Sequence, residues 1–499
     1  MIGQGFLFAL HHMESWDVVA GLVGGTLAGY CIGSIPGLSS SIGIALLIPF
    51  TYGMSPITSI VLLVTLYMAT EYAGAIPAIL MNTPGVPAAA VTALDGYQMR
   101  LKGEAGAALT MSILSAGFAS ITGTLLLVAS STWIASVALA FGPVKYFAIA
   151  VLGLSMVSSL SGDSMLKGFI GLFFGLAVAL IGTDPMDGVP RYVFNDNLLS
   201  GVGFLPALIG LFALSSVFSL VEKSADMPAP LKKLPSVSGQ VGLMRPYLGP
   251  LARSSVLGFL VSVIPGHGAT ISAFISYGFQ KRISKRPETF GHGNPEGLIA
   301  SEAAANASVP GALAPMLSLG IPGSASTAVL IGALTLHGVQ PGPLLFTRNP
   351  EIPYSIFIAL IVTMPLMVAL GLAGTRLWVR VTQVPRSMIA GLVGAMCLLG
   401  SYASQNDLFA VWTTIFFGIL GYVLQKAKIH PAPIVLALVL GNITESNFRR
   451  SLITSRGHLS IFVTNPFAVA CLLVALAVFL APFVRRAPAA APAPAPSTH

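Results

Sequence analysis

The chain alternates long apolar runs with short polar punctuation over nearly its whole length. Apolar segments extend from about Val18 to Val221 and again from about Val256 to Val484. On the order of a dozen stretches within them approach the ~20 residues a bilayer-spanning helix needs. Between the blocks lies a polar, Pro-rich stretch, Glu222 to Arg253, with Lys223, Lys232, Lys233 and Arg245. The pattern predicts an all-α polytopic membrane protein. Residues 1–222 form a first membrane repeat, 223–253 a cytoplasmic connector and 254–484 a second repeat. Residues 485–499 form a Pro/Ala tail whose composition predicts disorder.

Composition supports the membrane reading. Of 499 residues, 55% are hydrophobic and 8% charged, where a soluble domain carries roughly a quarter charged. The 53 glycines and 35 prolines are many for packed helices and predict broken membrane segments. The net charge of +8 does not point to nucleic acid, because the basic residues sit in short clusters between apolar runs. Lys281, Arg282, Lys285 and Arg286 form one; Arg376, Arg380 and Arg386, then Arg449, Arg450 and Arg456, then Arg485 and Arg486 form others. Such clusters are the mark of cytoplasmic loops. The loop from Asp184 to Ser200 has the opposite bias and is placed outside, and the C-terminus inside. Cys31, Cys397 and Cys471 stand singly in apolar runs and read as packing residues. No cleavable leader is expected, since the start is not basic and carries Glu14 and Asp17.

The two halves echo each other. Ile35-Pro36-Gly37-Leu38-Ser39-Ser40-Ser41-Ile42 resembles Ile264-Pro265-Gly266-His267-Gly268-Ala269-Thr270-Ile271. Pro77 to Gly85, with Asn82-Thr83-Pro84-Gly85 at its end, matches Pro315 to Gly323, with both prolines in register. Duplication explains this better than chance. Arg253 and Lys281 flank one apolar run, so Ser254 to Phe279 is expected to enter the membrane, turn at Pro265-Gly266-His267-Gly268 and return. The competing reading is one long tilted helix kinked at Pro265. Each repeat is thus predicted to hold a re-entrant hairpin and a discontinuous helix, the two repeats being inverted. Gly21, Gly25, Gly29 and Gly33 recur every fourth residue and predict a close helix–helix contact.

Paired interruptions in two halves point to a transport site near the midplane. A broken helix exposes N–H groups at one stump, which suit anions, and carbonyls at the other, which suit a small cation. Hydroxyls cluster at the breaks. The candidate substrate ligands are Ser39, Ser40, Ser41, Asn82, Thr83, Pro84, Gly85, His267, Gly268, Thr270, Gly323, Ser324 and Ser326. Gly37, Asn82, Gly266, Gly323 and Thr327 are candidates for holding sodium. Ser272 adds a hydroxyl at the third break. Serine and threonine in membrane helices commonly bond their own backbone instead. Glu71 and His267 are the notable ionisable groups in the membrane, functional candidates by default. The chain has no P-loop and hence no nucleotide site, no HExxH and no GxSxG elbow. A hydrolase built on His267 and a tip serine is the different-class alternative, though no third member orients the histidine.

These motifs, in order, resemble the large membrane subunit of the tripartite tricarboxylate transporters, from about Gly24 to Phe462. They are Asn82-Thr83-Pro84-Gly85 with Thr92 to Tyr97, Phe141-Gly142-Pro143 with Tyr146-Phe147, Pro265 to Thr270 through Ser276-Tyr277, Leu319 to Ser324, Pro341-Gly342-Pro343, and Arg449-Arg450-Ser451-Leu452. Family members carry Glu-Ser after the first Pro-Gly, replaced here by Val86-Pro87. Their Ala-Pro-Glu with Asn-Asn becomes Ala300-Ser301-Glu302 with Ala305-Asn306. The resemblance implies a secondary importer of an organic di- or tricarboxylate in the bacterial inner membrane, a symporter driven by a cation gradient. It implies two partners, a small integral-membrane subunit and a periplasmic solute-binding protein, with no cofactor beyond a coupling ion such as sodium. A carboxylate transporter working without a binding protein is the remaining alternative.

Overall fold

The structure, a computed structural model, describes residues 9–10, 13–139, 141–155, 165–184, 186–222, 241–264, 266, 268–381 and 384–484. Seven of its helices are long and apolar enough to cross a membrane, and five shorter apolar helices accompany them. The strands among the described residues are Gly182–Thr183 and Pro190–Arg191, paired antiparallel in one loop. Large apolar side chains such as Trp133, Leu399 and Trp412 point outward from the spanning helices. In water that would be costly; in lipid it is the solvent-facing surface. The chain is an all-α polytopic membrane protein.

Helix α1 (Trp16–Ser34) runs parallel to α3 (Pro56–Ala73), with the returning α2 (Ser40–Leu47) between them in sequence. The glycine stripe of α1 is the contact surface. A Cβ added at Gly25 would lie 2.2 Å from the Leu62 carbonyl oxygen, and one at Gly33 would lie 2.5 Å from that of Thr70. Then α4 (Ala75–Met81) continues α3 to the second break, and α5 (Ala89–Leu101) resumes beyond it. A 35-residue helix, α6 (Ala105–Leu139), follows.

The second half repeats the plan with α7 (Leu248–Val263), α8 (Gly268–Ile283), α9 (Pro295–Leu319) and α10 (Ala325–Leu336), followed by α11 (Glu351–Ala373). The repetition holds at single hydrogen bonds. Ile35 and Ile264 are both extended caps, donating to Ile32 O at 3.1 Å and Val261 O at 3.3 Å. The glycines that follow, Gly37 and Gly266, have φ of 93° and 86°, open to glycine with little strain. At the second breaks, Asn82 (φ 54°) and Gly320 (φ 74°) are left-handed caps. Thr83 N donates to Pro77 O and Ile321 N to Pro315 O, each at 3.3 Å, the same helix-ending motif at matched positions.

The segment from 254 to 279 doubles back. Arg253 Nη2 donates to Gln280 Oε1 at 3.4 Å, whereas a continuous helix would hold these residues about 40 Å apart. The kinked-helix alternative is thereby excluded. The two broken crossings run antiparallel. Thr51, before the first, bonds His337 Nε2 at the end of the second (3.1 Å), while Lys102, ending the first, donates to His292 O ahead of the second (2.6 Å). Across the halves, α6 packs along α9 and α11 along α3.

One expectation fails. The Arg449 cluster was assigned to the cytoplasm and the Asp184 loop to the outside, yet Arg449, on α12 (Ala432–Thr454), pairs with Asp184 at 2.5 Å and with Asp187. Arg191 of that loop also pairs with Glu445 at 2.6 Å. Both segments therefore share one side, the sign of charge along the chain having been overridden by local ion pairing. In the connector, residues 223–240 lie outside the described residues, as do the tail 485–499 and both Pro265 and His267. Helix α7 starts at Leu248, inside the stretch read as connector.

Candidate functional site

The first and fourth breaks meet on Glu71. Ser40, the first residue of α2, donates to Glu71 Oε1 at 2.6 Å, and its Oγ lies 2.8 Å from Ser326 Oγ of α10, 286 residues away. Ser40 has a single proton, committed to the carboxylate, so Ser326 donates to Ser40. Tyr67, one turn before Glu71 on α3, reaches Ser324 Oγ at 3.1 Å. Ser40, Glu71 and Ser326 are all buried. Among the described residues no cationic side chain pairs with Glu71. A carboxylate buried beside hydroxyls and without a counter-charge is costly unless a proton or cation joins it.

The other breaks adjoin this point through backbone. Gly266 N donates to Gly323 O at 3.0 Å, joining the third break to the fourth. A Cβ on Gly85 would fall 2.1 Å from Gly33 O, so the second break lies directly against the end of α1. Gly323 is equally confined, 2.7 Å from the Ala312 Cα by the same measure. Glycine is required at both because backbone fills the space a side chain would take.

The predicted residues divide accordingly. Ser40 and Ser326 join Glu71, and Ser324 joins Tyr67. Ser39 caps α2 by accepting from Ile42 N and bonds Ser41 at 2.8 Å. Thr327 is occupied in a reciprocal cap with Ser324, accepting from Ser324 N at 2.8 Å. Asn82 is an exposed left-handed cap, Thr83 bonds Met81 O at 3.1 Å, and Pro84 follows as the helix stop. Those three do not join the Glu71 cluster. Ser272 back-bonds Gly268 O at 2.8 Å, as isolated helix serines do. Thr270 is half-buried beside them. Of the sodium candidates, Gly323 uses its carbonyl on Gly266, and Gly37 marks the first turn. His267, on which the hydrolase alternative depends, lies outside the described residues.

Sequence reasoning left three groups out. Tyr67 gives no local signal, being one aromatic in an apolar helix. Glu302 does: it is a carboxylate in an otherwise apolar run of α9, and it is buried, accepting from Ser112 Oγ at 2.8 Å and from Thr92. Asp95 is a staple. Its Oδ1 accepts from the N–H groups of Gly291, Gly293 and Asn294 at 2.8–2.9 Å, and its Oδ2 from Tyr277 at 2.9 Å. At the opposite end, Asp184 is held down to about 2 by the Met186 N–H foremost, and by Arg449 and the Asp187 N–H.

A multi-span helical chain whose halves each supply two interior breaks, one break from each half meeting on a buried carboxyl, is built as membrane transporters are. Residues 19–436 match the tripartite tricarboxylate transporter TctA family, and the chain belongs to that family. It is 37% identical over 465 residues to the "uncharacterized 52.8 kDa protein in TAR-I ttuC' 3'region" of Agrobacterium vitis, covering 92% of this chain and 93% of the relative. The corresponding protein of the TAR-II ttuC' 3'region of the same organism is 38% identical over 231 residues, 46% of this chain and 96% of that one. No solved structure matches.

Proposed function

We propose that this protein is the membrane-spanning carrier of a secondary importer for organic di- or tricarboxylates, coupled to an inward sodium gradient. The carrying observation is the Ser326–Ser40–Glu71 chain, which ties a break of one half to a break of the other. Relative motion of the halves would make and unmake it, and that is what alternating access requires. Glu71 with the Ser40, Ser326, Tyr67 and Ser324 oxygens offers a dehydrated alkali ion a charged, oxygen-only setting. The ion in turn supplies the counter-charge the carboxylate lacks.

The Lys102 and Lys281–Arg286 end is assigned to the cytoplasm by its basic residues. The two hairpins then enter from opposite faces, as inverted repeats, and the C-terminus is cytoplasmic, beyond the last spanning helix. The substrate arrives on a periplasmic binding protein, and a small integral-membrane subunit completes the complex; family membership supports both partners. The test is uptake into vesicles holding all three components at fixed pH under an imposed sodium gradient. Accumulation of intact carboxylate that tracks the gradient is expected. Uptake indifferent to sodium and driven by a pH gradient would transfer the role of Glu71 to the proton.

A further inference from the structure

Glu71 is an ill-suited neighbour for a carboxylate, so the anion needs positive charge elsewhere. A cavity of about 640 Å³ supplies it. Its lining includes Leu319 and Gly320, the start of the fourth break, so it reaches the same five-residue turn whose other end, Ser324, holds Tyr67. Three motifs far apart in sequence converge on it: Phe141 and Pro143 with Tyr146, Pro341-Gly342-Pro343, and Arg450. Gly342 N bonds Leu317 O at 3.2 Å, which fixes the second motif against the end of α9.

The lining carries two guanidiniums, Arg348 and Arg450, and no carboxylate. Among the described residues neither arginine pairs with an acid. The acids near by are otherwise engaged: Glu445 with Arg191, Asp184 and Asp187 with Arg449, and Glu351 with Asn349. Asn447 and Gln340 add neutral polar groups. A cavity of this size holds a small polyanion with some water, and guanidinium is the side chain best matched to a carboxylate. Gly338, beside His337, lines it, whereas Lys102 and His292 at the other end do not.

We propose that this chamber is the entry station for the substrate anion, Arg348 and Arg450 each receiving a carboxylate group before the fourth break moves. The inference rests on the carboxylate-transport reading and divides its labour: anion in the arginine chamber, cation at Glu71. The test compares Arg348→Gln, Arg450→Gln and the double variant in the reconstituted three-component complex, using succinate, malate and citrate, with acetate as the monocarboxylate control. Each single variant should raise KM about tenfold and the double variant about a hundredfold, with kcat and the half-saturating sodium concentration unchanged. Arg→Lys should recover part of the loss.

If the wild-type complex carries none of the three, the transport reading itself falls. If it carries them and the double variant keeps the wild-type KM, only the chamber falls. Should the double variant not assemble, Asn447→Cys in a chain with Cys31, Cys397 and Cys471 replaced by serine reports on the intact arginines. An anionic sulfonate thiol reagent should then react faster than its cationic ammonium counterpart, and citrate should slow it. Equal rates without protection would overturn the proposal.

Discussion

Duplication gives this protein two junctions where a hairpin of one half meets the far side of the other half's break, and they differ in polarity. The first joins α2, α3 and α10 through Ser40, Glu71, Tyr67 and Ser326. Placing the matched Pro-Gly pairs in register assigns Ala269, Val309, Ala305 and Ala88 to the second. Ala88 and Ala305 lie with Val91 and Ala273 in one small apolar cluster, and Ala269 packs against it. One junction is wet in chemistry and the other dry, although the backbone breaks are the same. The lesson is that the repeat builds the hinge and side chains alone decide which hinge carries charge. Glu302, one turn from Ala305, sits at the edge of the dry junction, its carboxyl spent on Thr92, next to Val91, and on Ser112.

The sharpest attack on the comparison is Glu71→Ala. It strips the Ser40–Ser326 pair of its acceptor and removes the acid at the junction, and uptake should fall by about a hundredfold or more, as for functional membrane carboxylates generally. Surviving sodium-driven uptake would remove the junction from the mechanism.

Scaffold symmetry is tested by a matched pair. A Cβ at Gly29 or at Gly258 would come within 2.6 Å of Leu66 O or 2.5 Å of Ala304 O, backbone in both cases. Gly29→Ala and Gly258→Ala should each destabilise by about 1–3 kcal/mol, read by thermal melting in detergent. A loss in one half alone would mean that the halves are not equivalent supports.

A smaller effect separates the junctions directly. Ser40→Ala should raise the half-saturating sodium concentration about tenfold, the loss of one hydrogen bond to a charged group, and Ser326→Ala about fivefold, the loss of the neutral bond that supports it. Ala88→Ser and Ala269→Ser, at the dry junction, should leave that concentration within about twofold. A comparable shift from both pairs would abolish the distinction.

The smallest effect concerns the latch between the Asp184 loop and α12. Asp184 is depressed from 3.8 to about 2, so its contribution is complete above about pH 4 and is lost as pH falls toward 2. The melting difference between wild type and Asp184→Asn should therefore be flat from about pH 5 to 8 and shrink only below about pH 4. A difference that already changes near neutrality would mean the ion pairs with Arg449 and Arg191 are not what holds the loop.

Much of the backbone was legible from sequence because its causes are local. Proline cannot continue a helix and glycine accepts positive φ, so Pro36-Gly37 and the residues around Pro84 and Pro322 announce breaks wherever they stand. The glycine stripe on α1 predicted its contact with α3 for the same reason: a missing Cβ admits a neighbouring backbone. Apolar length and scarce charge determined the membrane as solvent. Which groups meet was decided by tertiary structure. Ser40 finds Ser326 across 286 residues, Arg450 shares a cavity with Phe141, and Arg449 joins the acidic loop that charge counting had set on the other face. Pairing of that kind depends on how antiparallel halves pack against each other, an energy spread over many weak contacts and written at no single position of the chain.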